Sequence, residues 1–345
     1  MLCLTGILFL CACSTGQPEV TETTPAPTET PEIEMLVLTA AETPTPEPAM
    51  TATPEVTKEP VVTETPVPTE TPEPGKRFYL STERVSIHGG GSFELEAYTD
   101  SDKTESKTAT WSSSDTDILI VDENGVAVGL KNGTAIVTAE ANDGTGRTAE
   151  CSFQVTSNRP KQKSEIHFAG NCFVGTKKLD SSETRHIRKY VEAMDLSVPG
   201  NKMVYDALHY VSYPYGTDSG MVDCSMLLLY TCLDNGMVIP RQSDKQAAFL
   251  EEKEIPMSEL EPGDFIYFGY AEDVECSCST APVCRRYMRI HHCAVYVGET
   301  YGKKYVVEAS SRVGRVCIRR WDGTEDYVGF KVKRCARIRP EMTAE

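Results

Sequence analysis

Val222-Asp223-Cys224-Ser225-Met226-Leu227-Leu228-Leu229-Tyr230-Thr231-Cys232-Leu233-Asp234-Asn235-Gly236 decides how the chain is read. An acid precedes a cysteine, and the cysteine opens an apolar run that stops at Asn-Gly, a helix terminator. Asp223 is a natural N-cap, which places Cys224 in the first helical turn. There the helix dipole and unpaired backbone N–H groups favour the thiolate. Taken alone, such a cysteine reads equally as a buried residue opening a core helix. A second stretch weighs against that reading. Arg289-Ile290-His291-His292-Cys293-Ala294-Val295-Tyr296-Val297-Gly298 puts a histidine at the head of a strand-like run. A nucleophilic thiol needs a base, and a histidine on a neighbouring strand supplies one.

The 345 residues carry a formal charge of −17. Between Gly16 and Pro74 there are 12 Glu, no Asp and one Lys, or −11, so the remainder is only mildly acidic. No concentrated basic stretch points to nucleic acid. Thirteen cysteines suit an oxidising environment or a metal site. Leu2 to Ala12 is apolar but too short for a stable membrane span, and it reads as the hydrophobic region of a secretion signal. Leu10-Cys11-Ala12-Cys13 resembles the lipobox of bacterial lipoproteins, which makes Cys13 the lipidation site and 1–12 the signal peptide, although no Lys or Arg precedes the apolar stretch. Residues 13–76 are rich in Thr, Pro and Glu with recurring Thr-Glu-Thr-Pro, a composition expected to stay disordered and extended. Met35-Leu36-Val37-Leu38 is an apolar interruption without an explanation. The expected location is therefore outside the cell, lipid-anchored and reaching into the wall.

Residues 77–157 change character. Phe93, Leu95 and Ala97 alternate with polar residues, as do Ala135 and Val137, then Phe153 and Val155. Asn124-Gly125 and Asn132-Gly133 are hairpin signals, and Trp111 is expected to fill the middle of a β-sandwich. Trp111-Ser112-Ser113-Ser114-Asp115, Gly125 to Leu130 and Gly133 to Ala139 resemble the bacterial immunoglobulin-like domains of group two. The resemblance implies a spacer ahead of an adhesive or glycan-binding role, because fold alone does not give function.

A connector, 158–199, is expected to hold a helix over 182–196 and a short strand within 165–174. From 200 to 340 helices come first and strands second, an α+β order. Val204, Ala207, Leu208 and Val211 share a helix face; Leu260-Glu261-Pro262-Gly263-Asp264 turns into the buried strand Phe265 to Gly269. Tyr213-Pro214-Tyr215-Gly216, Gly220 to Ser225, Ile239-Pro240-Arg241, the Leu-x-Pro-Gly-Asp turn and His292 to Gly298 resemble, in that order, the NlpC-type cell-wall cysteine peptidases, a branch of the papain-like fold. The fold class expected is thus multidomain: an all-β immunoglobulin-like sandwich followed by an α+β papain-like domain. The resemblance implies hydrolysis of peptidoglycan stem peptides between γ-D-glutamate and a diamino acid. It makes Cys224 the nucleophile and His292 the base, with His291 expected to face the other side of the strand. Glu308 stands where the family commonly has a second histidine, and would orient the imidazole. Tyr213, Asp223 and Ser225 match positions that in some relatives hold a free peptide amine. The competing role for Asp223 is the cap alone.

Residues 271–289 interrupt the family pattern. Cys276, Cys278 and Cys284 with a nearby histidine suit zinc, but the spacing matches no common zinc module and disulfides remain equally open, so no metal set is assigned. The thiol mechanism needs no cofactor. The expected partners are stem peptides and, through the lipid, the membrane. An amidase cutting between muramic acid and L-alanine, or an inactive wall-binding or adhesive lipoprotein, are the other readings.

Overall fold

A computed structural model describes residues 77–99, 106–272, 274, 276, 284–327 and 329–340. The lipobox, Cys13, the stretch 13–76 and Cys278 lie outside the described residues.

Ten strands form the first domain: β1 (Tyr79–Leu80), β2 (Arg84–Ile87), β3 (Ser92–Glu94), β4 (Ala97–Tyr98), β5 (Ser106–Lys107), β6 (Ala109–Ser113), β7 (Leu119–Val121), β8 (Val126–Gly129), β9 (Gly133–Ala141) and β10 (Thr148–Val155). One sheet runs β2-β10-β9-β6, with β2 parallel to β10; others run β3-β8-β7 and β1-β4-β5. The alternation read in the sequence sets the inner face: Ala135, Val137, Ala139 and Ala141 of β9 and Cys151, Phe153 and Val155 of β10 are buried. Two expectations change. Asn124-Gly125 does close a hairpin between β7 and β8, with Asp122 Oδ1 accepting from Asn124 N at 2.9 Å and Val126 N at 3.0 Å. Asn132-Gly133 does not: β8 and β9 belong to different sheets, so there the chain crosses the sandwich. An Asn-Gly pair reports a bend, and the side chains beyond it choose the sheet. Trp111 is only half-buried, because β6 is the outer strand of its sheet; Phe153, Leu95 and Leu119 take the centre.

The second domain adds β11 (Cys172–Val174), β12 (Lys177–Lys178), α1 (Ser181–Glu192), α2 (Pro199–Leu208), α3 (Cys224–Leu233), α4 (Ser243–Phe249), β13 (Glu254–Ile255), β14 (Phe265–Gly269), β15 (Ile290–Thr300), β16 (Lys303–Ser310), β17 (Arg315–Trp321), β18 (Asp326–Tyr327) and β19 (Phe330–Ala336). They build one nine-stranded sheet, β12-β11-β17-β16-β15-β14-β19-β13 with β18 on β19. The connector is part of this sheet, since β11 pairs in parallel with β17. Its helix, α1, is capped by Asp180 and ends at Glu192, four residues short of the expected end.

Two cores flank the sheet. On one face α2 and α3 press Met203, Val204, Leu227 and Leu228 onto Val295, Val297, Val307 and Ile318. On the other, Ile266, Phe268, Ala294, Val306, Trp321 and Tyr327 pack together. The Leu-x-Pro-Gly-Asp turn locks α2 to the sheet. Gly263 has φ +88°, and a Cβ there would lie 2.4 Å from Gly200 O. Only glycine meets both demands. Asp264, fully buried, accepts from Arg339 Nη2 at 2.8 Å and from Arg337 Nη2 at 2.9 Å. No described helix is long and apolar enough to cross a membrane.

Candidate active site

Helix α3 is buried along almost its whole length, Cys224 to Cys232. It is held by apolar contact all round rather than by one amphipathic stripe. Its cap is Asp223, whose Oδ1 accepts from Met226 N at 2.8 Å. Cys224 is the first helical residue, at the positive end of the dipole.

Strand pairing supplies the rest. Val295 pairs with Val307 and Val306 with Arg319, so His292, Glu308 and Arg319 lie diagonally across three neighbouring strands. His292 Nε2 donates to Glu308 Oε2 at 2.6 Å. Tyr327 OH donates to the same oxygen at 2.7 Å. Arg319 Nε stands 2.6 Å from the other oxygen, Oε1, and Arg319 Nη2 donates to Ser310 Oγ at 2.6 Å. Glu308 is 1% exposed, so this carboxylate is not a solvated strand residue. Phe268, Tyr327 and Phe330 stack around the imidazole.

Cys224 is influenced by both His292 and the Cys293 thiol. With Nε2 committed to Glu308, Nδ1 is the ring atom left to face the sulfur. The neighbouring Cys293 thiol lowers the Cys224 thiol most; burial opposes it, and His292 adds to it, bringing the thiol down to about 5. Burial works against a charged His292, but the Glu308 carboxylate and the Cys224 hydrogen bond outweigh it and carry the ring up to about 10. Burial would raise Glu308, yet His292, Arg319 and Tyr327 hold it down at about 2. At neutral pH the resting site is therefore a thiolate facing an imidazolium, with a carboxylate behind it.

Asp223 and Ser225 stand together with a third residue, Arg241. Arg241 Nη2 donates to Asp223 Oδ2 at 2.6 Å, Nη1 to Ser225 Oγ at 2.7 Å, and Ser225 Oγ donates to Asp223 Oδ1 at 3.0 Å. Tyr213 is elsewhere in its contacts: its hydroxyl donates to Lys161 O at 2.9 Å, and Lys163 Nζ lies 4.6 Å over its ring. Tyr215 is the tyrosine within electrostatic reach of Cys224 and Asp223; burial, then those two negative groups, push its phenol up. A cleft of about 520 Å³ opens beside Arg241 and Met226, with Ser86, His88 and Thr156 of the first domain on its far wall. His291 does not join His292. The β14–β15 register slips so that Phe268 pairs with His292 and Gly269 with Ile290, leaving His291 in a bulge against Cys276 and Cys284.

Sequence reasoning missed Arg319, Tyr327, Cys293 and Tyr215. Arg319 carried a signal, since with Arg320 it interrupts the apolar run Val316 to Trp321, and strand alternation turns one of the two inward, where a buried cation asks for a carboxylate. Arg241 was visible as part of Ile-Pro-Arg without a role.

A cysteine at the head of a buried helix, laid on an antiparallel sheet that brings up histidine and carboxylate, defines an α+β domain of the papain-like class. Residues 210–325 match the NlpC/P60 family and residues 76–151 the bacterial Ig-like domain (group 2), so the chain carries a group 2 Ig-like domain followed by an NlpC/P60 domain. An uncharacterized protein of Clostridium acetobutylicum is 40% identical over 62 residues, which are 18% of this chain and 6% of that protein. Among solved structures, domains 1–6 of the surface layer protein SbsC align at 15% identity and TM-score 0.20, covering 27% of this chain and 14% of that one. An intimin mutant of EHEC O157:H7 aligns at 10% identity and TM-score 0.20, covering 68% and 87%. The chain thus spans only 6% of the Clostridium acetobutylicum protein and 14% of the surface layer protein.

Proposed function

We propose that the protein is a cysteine endopeptidase of peptidoglycan stem peptides, cutting the γ-D-glutamyl–diamino acid bond. The NlpC/P60 match supports a cell-wall hydrolase. The observation that carries the thiol mechanism is the 2.6 Å hydrogen bond from His292 to Glu308, beside a Cys224 thiol that His292 helps to lower. Cys224 Sγ attacks the carbonyl carbon as a thiolate. The backbone N–H of Cys224, at the head of α3 and ahead of the capped Met226 N, faces the developing oxyanion. His292, already protonated, gives its proton to the leaving amine; water then attacks the thioester with His292 as base.

Asp223 carries the end of the substrate. Its Oδ1 accepts from Met226 N, Ser225 Oγ and Arg241 Nη1, whereas Oδ2 accepts from Arg241 Nη2. A carboxylate oxygen has two lone-pair sites. Oδ2, with one donor against three on Oδ1, is the oxygen a peptide ammonium would approach. A free amine there favours stem peptides already released from glycan. Cys13 would carry a lipid, and the stretch 13–76 would let the enzyme reach the wall.

The test is incubation of the reduced full chain with L-Ala-γ-D-Glu-diaminopimelate peptides and with intact peptidoglycan, followed by mass spectrometry. Release of L-Ala-D-Glu, absent with Cys224→Ala, is the expected result. Cleavage only at the muramic acid–alanine bond would replace this reading with the amidase. Wall binding without any cleavage would replace it with a binding protein.

A further inference from the structure

The segment that interrupts the family pattern brings three ligand atoms to one point. Cys276 Sγ lies 3.0 Å from His291 Nε2, Cys284 Sγ lies 3.3 Å from the same nitrogen, and all three atoms fall within 4.8 Å of one another. Three features favour a metal over a disulfide. A disulfide needs only that two sulfurs meet, and leaves unexplained why both converge on one imidazole nitrogen. The three residues are half-buried, and they come from a loop and a strand rather than from one local turn. The backbone is also bent to bring them together. His291 is the extra residue of the β15 bulge, and just before it Met288 and Arg289 both hold left-handed φ values, +48° and +56°. Two such residues in a row occupy sparsely populated conformations for side chains other than glycine. They fold the Cys284 arm back over His291.

We propose that Cys276, Cys284 and His291 bind a zinc ion that fastens the 271–289 segment to strand β15. Thiolate and imidazole are the donor types zinc takes most readily, and a tetrahedral site with ordinary Zn–S and Zn–N bonds puts S and N roughly 3.6 Å apart. The observed 3.0 and 3.3 Å need open by only a few tenths of an ångström to admit the ion. Binding replaces the two thiol protons, which leave to solvent, with two Zn–S bonds, and takes the lone pair of neutral His291 Nε2. Zinc changes no oxidation state in the process. Arg286 and Arg289 flank the cluster and steady its arms: Arg286 Nη1 donates to Ile290 O at 3.3 Å, and Arg289 donates to Ala271 O and Val274 O. The fourth position is not assigned, and Cys278 is not counted in the set. The site is next in sequence to His292 but shares no ligand with it, so zinc here is a staple rather than a reactant.

The test uses the full chain, expressed with zinc and purified without chelator. Metal analysis should give on the order of one zinc per chain, falling at least tenfold in Cys276→Ser/Cys284→Ser and in His291→Ala, and unchanged in Cys224→Ala. Because the double variant can misfold, the wild-type protein stripped of metal is also titrated with cobalt. A thiolate-to-cobalt charge-transfer band, displaced by one equivalent of zinc, is expected. A wild-type chain that holds no zinc and gives no such band overturns the proposal. So does a Cys276–Cys284 disulfide found by non-reducing peptide mapping of protein trapped at harvest, and so does full zinc content in His291→Ala together with the double variant.

Discussion

His292 and Glu308 are joined at 2.6 Å, and Arg319 holds the far oxygen of the same carboxylate at 2.6 Å. Glu308 is therefore a buried anion between two cations, and the imidazolium is stabilised from behind. Glu308→Gln keeps the shape but removes the charge, and leaves Arg319 uncompensated. Peptide cleavage should fall by up to about 10⁴-fold, the loss that follows when the acid of a catalytic triad is neutralised. Cys224 should also lose its low-pH reactivity, because a neutral imidazole no longer stabilises the thiolate. Stopped-flow alkylation of the variant at pH 6 checks this; a rate equal to wild type would remove Glu308 from the site.

The thiol itself gives a pH prediction. Cys224 is held at about 5, first by the Cys293 thiol, against burial, with His292 adding to it. Above that pH the reactive thiolate is present; below it the sulfur is protonated and reactivity is lost. Iodoacetamide modification of Cys224 should therefore have its midpoint near pH 5, where an ordinary thiol would show about 8.5. Cys293→Ala removes the first cause and should move the midpoint upward. A wild-type midpoint near 8 would sink the ion-pair description.

Asp223 and Arg241 form a largely buried pair, at 2.6 Å with side-chain exposures of 14% and 6%. Breaking such a pair by removing one partner typically costs about 3–5 kcal/mol, because a charge is left stranded. Arg241→Met should lose that much in denaturant unfolding. Asp223→Asn/Arg241→Met, which strands nothing, should recover a good part of it. If the single variant unfolds at the wild-type midpoint, Arg241 does not compensate Asp223.

What could be read beforehand follows from which signals are local. Cys224 and His292 head continuous apolar runs, and a run of that kind declares a buried element without help from the rest of the chain. The Asp223 cap is local too. Arg319 and Tyr327 were out of reach because their contact with Glu308 depends on register, Val306 against Arg319, and register is set by which strands meet. The same limit explains Asn132-Gly133, where the bend is local but the sheet that β9 joins is not. It also explains Tyr213 and Tyr215, two positions apart in one turn, where only the folded backbone decides which one reaches Cys224. For Cys276, Cys284 and His291 the spacing alone matches nothing familiar, and the bulge at His291 is what gathers them.

The far end of α3 ties the Cys224 helix to the first domain, and this can be measured. Arg159, just past β10, donates from its backbone N to Leu130 O at 2.7 Å in the Ig-like domain. Its guanidinium donates to Asp234 Oδ1 at 2.7 Å and to Tyr210 OH at 2.8 Å, while Tyr210 OH donates to Asp234 Oδ2 at 2.6 Å. Tyr230, on α3, lies under the same guanidinium at 4.9 Å. One arginine therefore bridges the sandwich and the C-terminal cap of the helix whose first residue is Cys224. Arg159→Ala leaves the half-buried Asp234 and the buried Tyr210 short of a partner, a loss of about 1–3 kcal/mol. Guanidinium unfolding followed by tryptophan fluorescence should show it, because Trp111 reports on the sandwich and Trp321 on the NlpC/P60 domain. Wild type should unfold in one transition. The variant should unfold in two, with the NlpC/P60 domain at the lower midpoint. A single transition at the wild-type midpoint would mean that the bridge does not couple the domains.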